Sequence, residues 1–295
     1  MSGVGERERV PAALLRDLVA LTKPSIVRMC AITTAGGAWL APGFDWLPAL
    51  MGVVGASLSV ASASAFNMIW ERHSDPLMAR TRNRPLAAKR ISTQAAMLVA
   101  SALGLLSLVV LALGTNLLTA GLALLAIVGY VLVYTPLKYR TPLALFIGAI
   151  PGAMPPLLGW TAITGSIDAG GLALFLILLV WQMPHFIAIT LFRKAEFESA
   201  GIRCVPVVRG DTNAKIQAVA WAAGLIPVSL LPTVFGVTGV FYGVIAGLLG
   251  VAFFAGSVRG FAAASGPRWA RNLFIGSLVY LPALIFAMAV DVFLF

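Results

Sequence analysis

The chain is divided almost from end to end into apolar runs of about 20 residues with short polar interruptions, the length a helix needs to cross the hydrocarbon core of a bilayer. Nine runs can be read, at about 22–41, 46–68, 93–112, 117–136, 142–162, 171–191, 215–235, 239–258 and 272–293. Only 11% of the residues are charged, against roughly 25% in an average soluble domain, so no separate soluble domain is left over. The expected fold is all-α and polytopic: nine transmembrane helices over 22–295, after an interfacial cytoplasmic segment, 1–21. That segment carries both signs of charge and has no apolar core followed by a small-residue cleavage site, so it does not read as a signal peptide.

The distribution of charge orients the helices. The connections after the first, third, fifth and seventh runs (APGFDW, GTN, TGSIDAGG and GVTG) contain no Lys or Arg, and all 21 basic residues fall at the other end. By the positive-inside rule the N-terminus is cytoplasmic and, with nine spans, the C-terminus is outside. The formal charge of +10 is thereby read as topogenic, and nucleic acid is not expected as a partner. Cys30 and Cys204 belong to no CxxC or Cys/His spacing, which argues against a structural zinc site or a disulfide framework. Orientation is nearly indifferent to carboxylates, so Glu71, Asp75, Glu196 and Glu198, concentrated in the two longest basic loops, need another account.

The first loop begins FNMIWERHSDPLMARTRNRP. Asn67, Glu71 and Asp75 recur every four residues and span only about 80° of a helix face. Pro76 disfavours helical geometry at Asp75, which puts it at the helix end, near water. One amide and two carboxylates suit Mg²⁺, which takes a few hard oxygen ligands and completes its octahedron with water and phosphate. Arg72, Arg80 and Arg84 beside them are fitted to a diphosphate, because positive charge stabilises a leaving group as its charge develops. The site therefore faces the cytoplasm.

The sixth run ends WQMPHFIAITLFRKAEFESAG. His185, Arg193 and Glu196 return to nearly one face if the helix continues through Phe192. Glu196 is a second metal-ligand candidate, and Arg193 and Lys194 are further anion partners. His185 reads either as a hydrogen-bonded structural residue or as a contact for the substrate. His73, turned about 200° from Glu71 on the helix, is outside the metal set. Between the fourth and fifth runs, YTPLKYRTP supplies Lys138 and Arg140 as diphosphate or carboxylate partners. Pro151, Pro155, Pro156 and Pro184 should bend or break their helices.

Taken together, FNMIWERHSDPLMARTRNRPL, YTPLKYRTPLALFIGAIPGAMPPLLGW and WQMPHFIAITLFRKAEFESAGIRCVPVV resemble the motifs of the haem O synthases (protohaem IX farnesyltransferases), a branch of the UbiA prenyltransferase superfamily. The resemblance runs over roughly residues 20–290. It implies a UbiA-type bundle around a central cavity in the cell inner membrane. It also implies Mg²⁺ as cofactor and transfer of farnesyl from farnesyl diphosphate to the 2-vinyl group of haem b, water completing haem O. Haem A synthase or terminal oxidase assembly would be downstream partners. Several members have Asp where this chain has Glu71, His73 and Glu196, Tyr where it has Phe197, and Pro where it has Arg203. The two Glu keep a carboxylate, whereas His73 cannot replace one. The runner-up is a quinone-type aromatic prenyltransferase using the same metal motif. A transporter would instead show charge deep within its spans, and here nearly all charge lies at the basic edge.

Overall fold

The computed structural model describes residues 4–262 and 266–294, and among these every regular element is helical. Residues 1–3 of the expected lead-in and Phe295 at the other terminus lie outside the described residues. Eight helices are long and apolar enough to cross a membrane: α3 (Trp46–Glu71), α4 (Thr93–Gly114), the continuous stretch Leu117–Leu137, α7 (Ala144–Thr164), α8 (Ala169–Phe192), α10 (Val205–Val234), α11 (Val240–Val258) and α12 (Pro267–Leu294). A ninth span is a bent pair, the end of α1 (Val4–Leu21) with α2 (Pro24–Leu40), meeting at 51°. The protein is a multi-pass membrane bundle.

The loops at the end away from the basic residues show why these helices start where they do. An unpaired helix N-terminus is costly in lipid, and a short polar side chain just before it supplies the missing acceptor. Asp45 accepts from Leu47 N at the start of α3, Asn116 from Thr119 N at the start of α5 (Leu117–Val128), and Asp168 from Gly170 and Gly171 N at the start of α8. The loop GVTG puts Gly239 at the cap position, and α11 borrows its cap from α12: Asp291, buried, accepts from Gly239 N and from Tyr242 N.

Three local expectations are corrected. The prolines do not break α7 or α8, which run helically through Pro151, Pro155, Pro156 and Pro184. The small residues around them let α2 and α7 approach backbone to backbone, so that a Cβ at Gly37 would strike the Pro156 carbonyl and one at Gly159 the Thr34 carbonyl. The seventh helix starts at Val205, nearly three turns before position 215, because the polar stretch around Gly210 is also helical; Gly210 itself, at φ 80°, makes a kink. The fourth span is not a plain α-helix. It widens into a π-helical stretch, Gly129–Tyr134, before the short α6 (Thr135–Leu137), and the Thr135 hydroxyl back-bonds to Tyr130 O at 2.8 Å. Such widenings rotate the residues that follow, and here those residues reach the site.

An apolar cavity of about 500 Å³ lies in the half of the bundle away from the basic end. Gly36 and Leu40 of α2, Leu50 of α3, Pro156 of α7, Leu178 of α8 and Leu284 of α12 are among the residues lining it.

Candidate active site

At the basic end α3 stops at Glu71, as the chain turns through Arg72 towards Pro76. Asn67 and Glu71 therefore share its last turn, while Asp75 opens a separate 3₁₀ turn, Asp75–Leu77. Asp75 is at the helix end as expected, but it is not near water. The loop that follows folds back over it, Thr81 Oγ donating to Asp75 O at 2.8 Å, and Asp75 is 0% exposed. Met68, Leu86, Ile91 and Leu21 form the apolar packing that holds α1, α3 and this loop together.

Arg84 joins the two carboxylates. Its Nη1 donates to Glu71 Oε2 at 2.7 Å and to Asp75 Oδ1 and Oδ2 at 2.8 and 2.9 Å. One nitrogen atom thus touches both acids, so a cation placed there would find carboxylate oxygen on two sides. Asn67 completes the group: its Nδ2 donates to Glu71 Oε1 at 2.9 Å and to Thr135 Oγ1 at 3.3 Å, while its Oδ1 accepts from Lys23 Nζ at 2.6 Å. Lys138 Nζ also donates to Glu71 Oε1 and lies 5.2 Å from the centre of the Tyr139 ring. Among the described residues no three His, Cys, Asp or Glu side chains group as metal ligands. The donor set that fits a hard divalent ion is the Glu71–Asp75 pair with the Asn67 amide oxygen, leaving positions for water and phosphate.

The electrostatics favour an anionic guest. The hydrogen-bonded cluster holds three cationic side chains, Lys23, Arg84 and Lys138, and two acids, Glu71 and Asp75. Burial, with the like charge of Lys23 behind it, pushes the Lys138 ammonium down to about 7. Arg80 is similarly lowered, by desolvation first and then by Arg84 and Arg193, with Glu196 and Asp75 opposing. An incoming anion favours the charged form of the Lys138 ammonium.

The second motif is arranged differently. The helix ends at Phe192; Arg193 leaves helical geometry at φ −115°, and Glu196 sits on α9 (Lys194–Ser199), so the shared face with His185 does not form. Arg193 Nη1 donates to Glu196 Oε1 and Oε2 at 3.1 and 3.3 Å. Arg72 turns back to Ile69 O at 2.8 Å, Lys194 pairs with Asp211 at 2.8 Å, and Arg140 is exposed; none of the three is among the partners of Glu71 or Asp75. His185 is buried farther along α8, its Nδ1 2.7 Å from Ser277 Oγ of α12. Sequence reasoning took Lys23 as merely topogenic and passed over Thr135 and Ser277. The run that begins near position 22 gave no sign that the Lys23 ammonium turns inward.

The pattern that defines the UbiA prenyltransferase family matches residues 30–278. A protoheme IX farnesyltransferase of Myxococcus xanthus is 48% identical over 276 residues, covering 93% of this chain and 94% of that one. Another, of Anaeromyxobacter dehalogenans, is 43% identical over 279 residues and 94% of each. Among solved structures, a digeranylgeranylglyceryl phosphate synthase superposes with a TM-score of 0.80 at 18% identity, over 94% of this chain and 98% of that one. A UbiA homolog from Archaeoglobus fulgidus, bound to DMAPP and Mg²⁺, gives 0.68 at 17% identity, over 93% of this chain and 99% of that one. These structural likenesses speak for the fold.

Proposed function

The chain belongs to the UbiA prenyltransferase family, and from that premise we propose that it transfers farnesyl from farnesyl diphosphate to the 2-vinyl group of haem b, with addition of water, to give haem O. The observation that carries the chemistry is the buried pair Glu71 and Asp75 meeting on one cationic nitrogen, with Lys23 and Lys138 beside them. The acceptor comes from the relatives, which are named for protoheme IX and align over nearly the whole chain.

In this reading Asn67, Glu71 and Asp75 hold Mg²⁺, and Glu196 approaches from the other loop. The bound ion would supply Lewis-acid stabilisation of the leaving diphosphate. Lys23, Arg80, Arg84, Lys138 and Arg193 neutralise the rest of its charge, leaving their carboxylate partners free for the ion. The allylic carbon–oxygen bond breaks and diphosphate carries away the electron pair. The terminal vinyl carbon attacks the farnesyl carbon, and water captures the inner vinyl carbon, losing a proton. Apolar walls keep water from the allylic carbon until the carbon–carbon bond has formed. The site would face the cytoplasm with the N-terminus, haem A synthase or oxidase assembly taking the product. A reporter fused at the C-terminus should then be active only outside, and cytoplasmic activity would overturn that orientation.

The experiment that tests the reaction uses purified protein, Mg²⁺, farnesyl diphosphate and haem b, with mass spectrometry of the extracted haem. The expected product is heavier by one farnesyl unit plus water. A phenolic acceptor would gain the prenyl group without water, because it regains aromaticity by losing a proton. Unchanged haem b beside prenylated 4-hydroxybenzoate would replace this reading with the quinone-type one.

A further inference from the structure

We infer that Asp17 and Arg90 are positioning residues of the diphosphate site: their ion pair clamps α1 to the arginine loop and so sets Lys23 and Arg84 against the Asn67, Glu71 and Asp75 side chains. The inference rests on reading that group as the diphosphate site and adds what holds its cations in place.

Asp17 needs an account of its own. Basic residues orient a membrane protein, but orientation is nearly indifferent to carboxylates, and this one is buried on α1, only 7% exposed. Its partner lies 73 residues along the chain. Arg90 Nε donates to Asp17 Oδ2 at 2.9 Å and to Oδ1 at 3.1 Å, and Arg90 Nη2 donates to Oδ1 at 3.0 Å. Two guanidinium nitrogens against two carboxylate oxygens fix direction as well as distance. The same Nη2 donates to Asn83 O at 3.0 Å, and the Arg90 backbone N–H donates to Pro85 O at 2.8 Å. Arg90 thus holds the peptide carbonyls on either side of Arg84, whose Nη1 joins Glu71 to Asp75. Lys89, at φ 56°, makes the turn just before Arg90, in a backbone region uncommon for a residue with a side chain.

The other end of the clamp leads to Lys23. Beyond Asp17 the helix α1 ends at Leu21, and Lys23 takes a left-handed backbone, φ 52°, as the chain turns into α2. Its Nζ donates to Asn67 Oδ1 at 2.6 Å. A residue with a side chain keeps such a backbone only where its surroundings over-determine it. Leu18 and Leu21 of α1 pack with Leu86 and Ile91 of the loop, but apolar contact is non-directional and by itself lets α1 slide or turn on the loop. The Asp17–Arg90 fork supplies the direction. Its energetic contribution is a separate matter: the Arg90 side chain is 43% exposed, and water screens such a pair, so it adds little to the stability of the fold. A directional contact of small energy, tying together the two segments that carry Lys23 and Arg84, is suited to placing those cations.

The test is the affinity of the purified protein for inorganic diphosphate in the presence of Mg²⁺, measured by calorimetry. Asp17→Asn and Arg90→Gln should each accumulate in the membrane as the wild type does and bind diphosphate about tenfold more weakly, since a shift of about 1 Å in a positioning group is enough for such a loss. The double variant should bind no more weakly than Arg90→Gln, because both changes break one contact. Arg90→Lys keeps the charge without the fork and should recover only part of the loss. The response to Lys23 is the sharpest readout. Lys23→Gln should weaken diphosphate binding less in the Arg90→Gln background than in the wild type, because there the ammonium has already lost its position. Wild-type affinity in both single variants overturns the proposal. So does a loss seen only as less protein in the membrane, or an undiminished effect of Lys23→Gln in the Arg90→Gln background. If the wild type itself binds no diphosphate, the reading of the site falls, and the positioning role with it.

Discussion

The two long basic loops follow spans four helices apart and look alike in sequence, each pairing acids with arginines and lysines, yet they fold into different electrostatic settings. In the first, Glu71 and Asp75 are buried and share Arg84, and Glu71 also bonds Lys138 and, through Asn67, is linked to Lys23. In the second, Glu196 pairs with Arg193 three residues away and Lys194 with Asp211, all at least one third exposed. Exposed pairs of this kind contribute little, usually under about 1 kcal/mol, because water screens them and holding long side chains costs entropy. Buried charges are coupled, and removing one partner leaves the others uncompensated. The lesson is that charge pattern alone does not rank loops; the backbone that buries one of them does.

That contrast gives an ordered set of expectations. Asp75→Asn removes charge with almost no change of volume, and Arg84 still has Glu71 to bind, so the protein should accumulate in the membrane. Turnover should nevertheless fall by at least about 100-fold, the order expected when a group stabilising transition-state charge is lost. An equal or larger loss in Glu196→Gln, with Asp75→Asn milder, would reverse the ranking of the two loops. Lys23→Gln comes next. It removes one charge-assisted hydrogen bond, worth about 1.5–3 kcal/mol. The expected result is a rise of roughly tenfold or more in KM for farnesyl diphosphate, with smaller change in the affinity for haem. If KM is unmoved, Lys23 only holds the α1–α2 junction and belongs with the packing of Leu21.

Much of this was legible in the sequence, for reasons that are themselves physical. Spans such as Thr93–Gly114 and Ala169–Phe192 are visible because hydrocarbon thickness imposes a length and a composition that few other structures meet. Their starts are legible too, as Asp45, Asn116 and Asp168 act locally on amides two or three residues ahead. Asn67 and Glu71 were legible as a pair because they share one helical turn. What escaped was whatever depends on chains meeting from afar. Nothing near Lys23 in sequence announces Asn67, 44 residues on. The π-helical turn that delivers Thr135 and Lys138 has no signature in the local sequence. The helix stop at Phe192 broke a face argument that presumed continuity, and no residue there signals a stop as plainly as Pro76 does after Glu71.

The smallest expected effect sharpens the contrast most, since it concerns a cation in a position where its sequence neighbours suggest phosphate binding. Lys194 lies next to Arg193 in the second loop, and by charge alone it would be counted with the diphosphate partners. Its ammonium instead bonds Asp211 on the extension of α10, at 2.8 Å, and that hydrogen bond, ahead of any other influence, raises it above the ordinary lysine range. The pair joins two cytoplasm-side elements at the surface and contributes charge to neither carboxylate of the first loop. Lys194→Gln should therefore leave turnover and KM for farnesyl diphosphate within about twofold of wild type, less than a tenth of the effect expected for a group in the buried cluster. Steady-state kinetics at low and moderate salt separate the two cases. A surface pair loses its small effect as salt is added, whereas a direct diphosphate contact persists because it is less screened. A tenfold rise in KM that survives added salt would move Lys194 into the site and show that the second loop closes over the diphosphate when substrate is present.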